Sequence, residues 1–214
     1  MISSLLGKKI GMTRVFDAQG DQVPVTVIQV GPCVVVQRKT VASDGYSAAQ
    51  LGFEPKKPSR CRKPEAGHFK KAGVDPARLV QEVPVDDADP LKAGDRVTAE
   101  VFKDVGHVDV CGVTKGRGFQ GVIRRHHMSG QPMSHGHTMH RRPGSVGMRE
   151  HPGRILRNQR MPGHLGHVRV TTQNLRVVQV RPEDDVILVC GSVPGPNGGW
   201  LVVSRAAKKA GAST

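Results

Sequence analysis

Between residues 115 and 169 the chain gathers most of the side chains that could do chemistry. His126, His127, His135, His137, His140, His164 and His167 have spacings that metal ligands could use, and Ser129, Ser134 and Ser145 lie among them. A zinc site needs three or four convergent ligands, usually with cysteine or a carboxylate and an ordered outer shell. This stretch has no cysteine, and its single acid, Glu150, stands among eleven cations that disfavour a divalent ion. No metal site is expected. Lys115-Gly-Arg-Gly-Phe-Gln-Gly121 resembles a phosphate-cradling glycine loop but lacks the Gly-Lys-Ser/Thr ending of a P-loop. It reads instead as a strip of backbone flexible enough to lie along phosphates. The serines have no nucleophile-elbow pattern, and one acid gives little means of orienting a base. Neither a cofactor nor an enzyme is expected. The alternative is a metal- or nucleotide-dependent enzyme acting on nucleic acid through the histidine cluster.

What the stretch does offer is charge. Lys115, Arg117, Arg124, Arg125, Arg141, Arg142, Arg149, Arg154, Arg157, Arg160 and Arg169, set against Glu150, carry +10 of the chain's formal +14. So concentrated an excess implies a polyanionic partner, nucleic acid first. Arginine strongly outnumbers lysine there, and its planar fork can grip phosphate at two points and stack on bases. His126, His127 and His140 read as hydrogen-bond donors and flat surfaces against RNA. Ten glycines and Pro132, Pro143, Pro152 and Pro162 interrupt any apolar period, and Phe119 is the only aromatic ring. The segment is therefore expected to be largely disordered alone and to order on RNA. It holds no recognition-helix candidate of the kind a DNA-binding regulator needs.

The elements that must position this segment lie on either side of it. The chain is 214 residues long, and its 3% aromatic content leaves an aliphatic, valine-rich core. Residues 12–16 and 23–30 read as a hairpin across a turn cluster, and 33–37 and 46–53 as further strands. Residues 55–64, basic and proline-rich, read as an extended surface loop. Helical propensity rises over 65–80, with Asp75-Pro76 setting a helix start near Ala77. Residues 86–95 are acidic and turn-rich, and 96–102 and 108–113 read as strands. Beyond the basic segment, 168–170, 175–180, 186–190 and 200–203 resume the valine pattern. This spacing points to a small β-barrel or sandwich. The domain reading is a globular β unit of residues 1–114 and 170–206 with a helical or loop insertion at about 55–95. A basic extension covers 115–169, and a flexible tail 207–214. Cys33, Cys61, Cys111 and Cys190 stand singly, which implies free, buried thiols in a reducing compartment. With neither a signal pattern nor an apolar run of about 20 residues, a cytoplasmic protein is expected.

Six motifs carry a resemblance. Gly7-Lys-Lys-Ile-Gly-Met-Thr-Arg14, Lys63-Pro-Glu-Ala-Gly-His-Phe69, Thr114-Lys-Gly-Arg-Gly-Phe-Gln-Gly121, His140-Arg-Arg-Pro-Gly-Ser145, Arg160-Met-Pro-Gly-His-Leu-Gly166 and Gly191-Ser-Val-Pro-Gly195 span most of the chain. Together they resemble the large-subunit ribosomal protein L-three family in its bacterial form. The resemblance implies a closed six-stranded barrel of the translation-factor kind, with a long loop threading into large-subunit (23S-type) rRNA. It further implies a non-catalytic role in early subunit assembly within the cytoplasmic ribosome, a loop reaching toward the peptidyl transferase centre, and rRNA and neighbouring ribosomal proteins as partners. Lys8, Lys9 and Arg14, with the basic loop Lys56–Lys63, would add contacts from the barrel. The chain departs from the family twice. Arg125-His-His-Met128 replaces an aromatic Arg-Trp-Asn-Phe run, so no tryptophan stack is expected there. Glu150 stands where some relatives carry a methylated glutamine, so no modification is expected.

Overall fold

The computed structural model describes residues 2–86 and 89–209. Its strands are β1 (Ser4–Phe16), β2 (Gln22–Val30), β3 (Cys33–Lys39), β4 (Ala48–Pro55), β5 (Ala77–Pro84), β6 (Arg96–Val97), β7 (His107–Val113), β8 (Phe119–Gln120), β9 (Gly163–His164), β10 (Arg169–Arg181), β11 (Val186–Cys190) and β12 (Trp200–Arg205). The helices are α1 (Val41–Asp44), α2 (Lys63–Ala72) and α3 (Val122–His126). The chain divides into two compact units, residues 1–114 with 169–214, and residues 115–168. Residues 87–88 of the acidic turn and 210–214 of the expected tail lie outside the described residues.

In the first unit six strands close into a barrel, in the order β1-β12-β7-β10-β11-β2. Every neighbouring pair is antiparallel. The architecture is mainly β, as the strand spacing and the resemblance both indicated, and closure excludes the sandwich that spacing alone left open. A closed barrel leaves no strand edge unpaired, so short valine-rich strands that would be sticky alone satisfy one another. Leu5, Ile28, Val30, Val108, Val110, Ile187, Val189, Leu201 and Val203 are buried in its core. Gly112 on β7 allows β12 to pack closely, since a Cβ there would stand 2.5 Å from Leu201 Cδ2. Overpacking of that kind costs about 1–3 kcal/mol.

A second sheet, in the order β5-β4-β3-β6, belongs to the same unit. Val35, Leu51, Phe53 and Val83 join Leu5, Ile28 and Val189 in one apolar cluster, so barrel and sheet share a core. Helix α2 starts where Pro64 fits the first turn and Glu65 reaches back to the Arg62 amide. It stops at Gly73, whose φ of 68° is left-handed.

Four local readings are corrected by the structure. The helix expected across 65–80, with a start near Ala77, ends at Ala72, and Ala77–Pro84 is instead strand β5. Its inward side chains Leu79, Gln81 and Val83 alternate with exposed Arg78, Val80 and Glu82, a period of two that pairing with β4 exploits over helical propensity. The strand expected across 96–102 is only Arg96–Val97. A 3₁₀ turn at Ala99–Phe102 then drops Phe102 fully into the core. From Arg169 onward the runs 168–170 and 175–180 form one strand, because a bulge between Thr172 and Leu175 absorbs Gln173 and Asn174. Asn174 sits at φ 57°, and its amide donates to Asp109 Oδ1 at 2.7 Å. Finally, all four cysteines are free, but only Cys33 is buried. Burial pushes the Cys33 thiol up to about 12, which leaves it unreactive.

Candidate nucleic-acid interface

Residues 115–168 are spliced between β7 and β10, whose ends Val113 and Arg169 are register partners. The base of the segment is built from paired strands and a short helix. Strands β8 and β9 pair. The Arg117 amide donates to the Leu165 carbonyl at 2.8 Å, and the Leu165 amide to the Gly118 carbonyl at 3.0 Å. Phe119 and His164 meet edge to face with ring centres 5.8 Å apart. Gly166, at φ 79°, allows this closure, since a Cβ there would run into the Lys115 carbonyl. Helix α3 adds one turn of packing, with Val122 buried.

Two of the candidate side chains serve this framework. The Arg125 guanidinium donates to the Met161 carbonyl at 2.8 Å and lies against Gly163, where a Cβ would collide with it. His126 Nε2 meets the same carbonyl at 3.0 Å. A carbonyl only accepts, so the proton sits on Nε2. His140 is exposed, yet Nδ1 faces the Pro132 carbonyl at 2.9 Å, and its own carbonyl accepts from the Gln131 amide at 3.0 Å. It closes a loop as well as offering a ring edge. His127 caps α3 in a left-handed conformation and is exposed.

Residues 141–160 differ in kind. All are exposed except Gly144 and Val146, which are half-buried. Arg141, Arg142, Arg149, Arg154, Arg157 and Arg160 are among the exposed ones, as are Lys115, Arg117 and Arg124 nearer the base. None of these nine cations, nor Glu150, makes an ion pair among the described residues. Neighbouring guanidinium groups with no internal anion repel one another, and an outside polyanion relieves that repulsion. Among the described residues, no group of three or more His, Cys, Asp or Glu side chains comes together that could hold a metal ion.

The barrel-side candidates divide. Lys9 is buried, with its ammonium donating to the carbonyls of Val193 at 2.9 Å and Gly195 at 3.3 Å. It ties β1 to the 191–195 turn and is not presented to an outside phosphate, which removes it from the candidate set. Lys8 pairs with Glu54 at 3.0 Å. Arg14 is exposed on the hairpin. The sequence reading missed Trp200, half exposed at the start of β12, whose indole donates to Glu54 Oε2 at 3.2 Å.

A closed barrel with a cationic, acid-poor segment spliced between two of its strands is the architecture of a structural protein. Comparison with known proteins makes this specific. The family pattern described as Ribosomal protein L3 matches residues 57–187. "Large ribosomal subunit protein uL3" of Solibacter usitatus is 51% identical over 207 residues, 96% of this chain and 99% of that protein. The proteins of the same name from Acidothermus cellulolyticus and Pelotomaculum thermopropionicum are each 50% identical, over 97% and 99% of this chain and 94% and 100% of their own. The chain belongs to the ribosomal protein L3 family, whose members are structural, non-enzymatic proteins of the ribosome.

Proposed function

We propose that this protein is a structural constituent of the large ribosomal subunit that binds large-subunit rRNA through residues 115–168 and supports early subunit assembly. The observation that carries the reading is the set of nine exposed cations, unpaired among the described residues, with one acid between them. Phosphates that RNA folding brings together repel, and guanidinium groups placed between them lower that cost. The hairpin base (β8, β9 and α3) supplies two anchored ends. The exposed stretch 141–160 supplies the length that enters between RNA helices toward the peptidyl transferase centre. Neighbouring ribosomal proteins complete the partners. No helix among the described residues is long and apolar enough to cross a membrane.

The test compares Arg141→Ala/Arg142→Ala with Lys208→Ala/Lys209→Ala. Each removes two positive charges, but only the first pair lies in the segment. Sucrose-gradient profiles of cells carrying the first variant should show depleted large subunits, and the second should match wild type. Equal profiles for both would overturn the reading.

A further inference from the structure

We infer that Trp200 and the basic loop beside it form a second RNA site, a pocket that takes one unpaired nucleotide by stacking its base on the indole. The inference rests on the proposed rRNA-binding role but concerns a site in the barrel unit that the 115–168 segment does not supply. A cavity of about 320 Å³ is lined by Lys56, Lys57, Arg60, Arg78 and Trp200. Four of its five walls are cations, and the fifth is the chain's only tryptophan.

The indole is held as a platform. Its Nε1–H donates to Glu54 Oε2, and Glu54 Oε1 accepts from Lys8 Nζ at 3.0 Å and Arg78 Nη1 at 3.3 Å. Three donors converge on that one carboxylate and fix its position beside the indole. Lys56 is neutralised by Glu65 at 2.8 Å. Lys57 and Arg60 are exposed and make no ion pair among the described residues, so they remain available for phosphate. A flat π-face with cations around it is how unpaired RNA is gripped, base on ring and backbone on charge. An acidic peptide would satisfy the cations but leave the half-exposed ring with no planar partner, which favours RNA.

Because there is one tryptophan, its emission reports on this pocket alone. The full-length protein is titrated with hexauridylate and, separately, with hexaglutamate. Saturable quenching by hexauridylate, with little by hexaglutamate, is the expected result. Lys57→Ala/Arg60→Ala, both surface changes, should raise the half-saturating concentration at least about tenfold, since two charge-assisted contacts are lost. Trp200→Ala should weaken labelled hexauridylate binding roughly five- to hundredfold in protein that also carries Arg141→Ala/Arg142→Ala, the range for losing one base stack. No quenching, equal quenching by hexaglutamate, or an unchanged titration in the Lys57/Arg60 variant would overturn the site. Those failures are distinguishable from failure of the rRNA reading, which Arg141→Ala/Arg142→Ala tests on large-subunit rRNA without involving Trp200 emission.

Discussion

Raising the salt concentration should weaken rRNA binding steeply, and by an amount the surface of residues 115–168 sets. Nine cations there are exposed: Lys115, Arg117, Arg124, Arg141, Arg142, Arg149, Arg154, Arg157 and Arg160. Arg125 is excluded because Met161 already engages it. If about six to nine of them neutralise phosphates, the slope of log affinity against log salt lies between about −4 and −8, at roughly 0.7–0.9 per phosphate. Between about 50 and about 200 mM salt, affinity then falls by roughly three hundredfold to almost 10⁵-fold. Removing Arg141 and Arg142 together should flatten the slope by about 1.4–1.8, whereas Arg125→Ala should leave it nearly unchanged. Filter binding of large-subunit rRNA across a salt series measures each slope. A wild-type slope shallower than about −2, or identical slopes for wild type and the Arg141/Arg142 variant, would refute the claim that these side chains meet phosphate.

Hydrogen exchange on the RNA-free protein should find residues 141–160 unprotected, because no packed core covers them, while the amides of Arg117 and Leu165 exchange slowly. Protection across 141–160 without RNA would show that the stretch folds by itself. Lys9→Ala should destabilise the barrel by about 1–3 kcal/mol in urea unfolding, since it strands the buried Val193 carbonyl and the half-buried Gly195 carbonyl, and rRNA binding by the folded fraction should be unaffected. A binding defect without a stability loss would return Lys9 to the interface. The Glu54 carboxyl is held below the usual carboxylate range, chiefly by the hydrogen bond from Lys8 and then by that from Trp200. Its contribution is therefore fully present above the unfolded-state pKa and is lost as pH falls through the lower folded-state value. The stability gap between wild type and Glu54→Gln should narrow as the medium is acidified into that range, with Trp200 emission shifting as the indole loses its anchor. A gap that stays constant with pH would show that Glu54 carries no such coupling.

Much of this protein was legible from local sequence. The hairpin of β1 and β2 follows from two apolar runs across a turn cluster, and the valine runs at 108–113 and 186–190 became barrel strands because alternation and β-branching are properties of neighbouring residues. The concentration of charge between 115 and 169 is likewise a matter of composition. What needed tertiary structure depended on partners distant along the chain. Residues 77–84 became a strand because β4 offered an edge to pair with. Asn174 sits inside β10 because Asp109, 65 residues away, accepts its amide. Lys8 and Lys9 are adjacent and alike in sequence, yet one ammonium reaches Glu54 and the other turns inward to carbonyls 184 and 186 residues on. Trp200 and Glu54 are 146 residues apart and carry no shared motif. Charge and periodicity are written along the chain, whereas the direction a side chain takes is decided by whichever donors and acceptors the closed barrel brings to it.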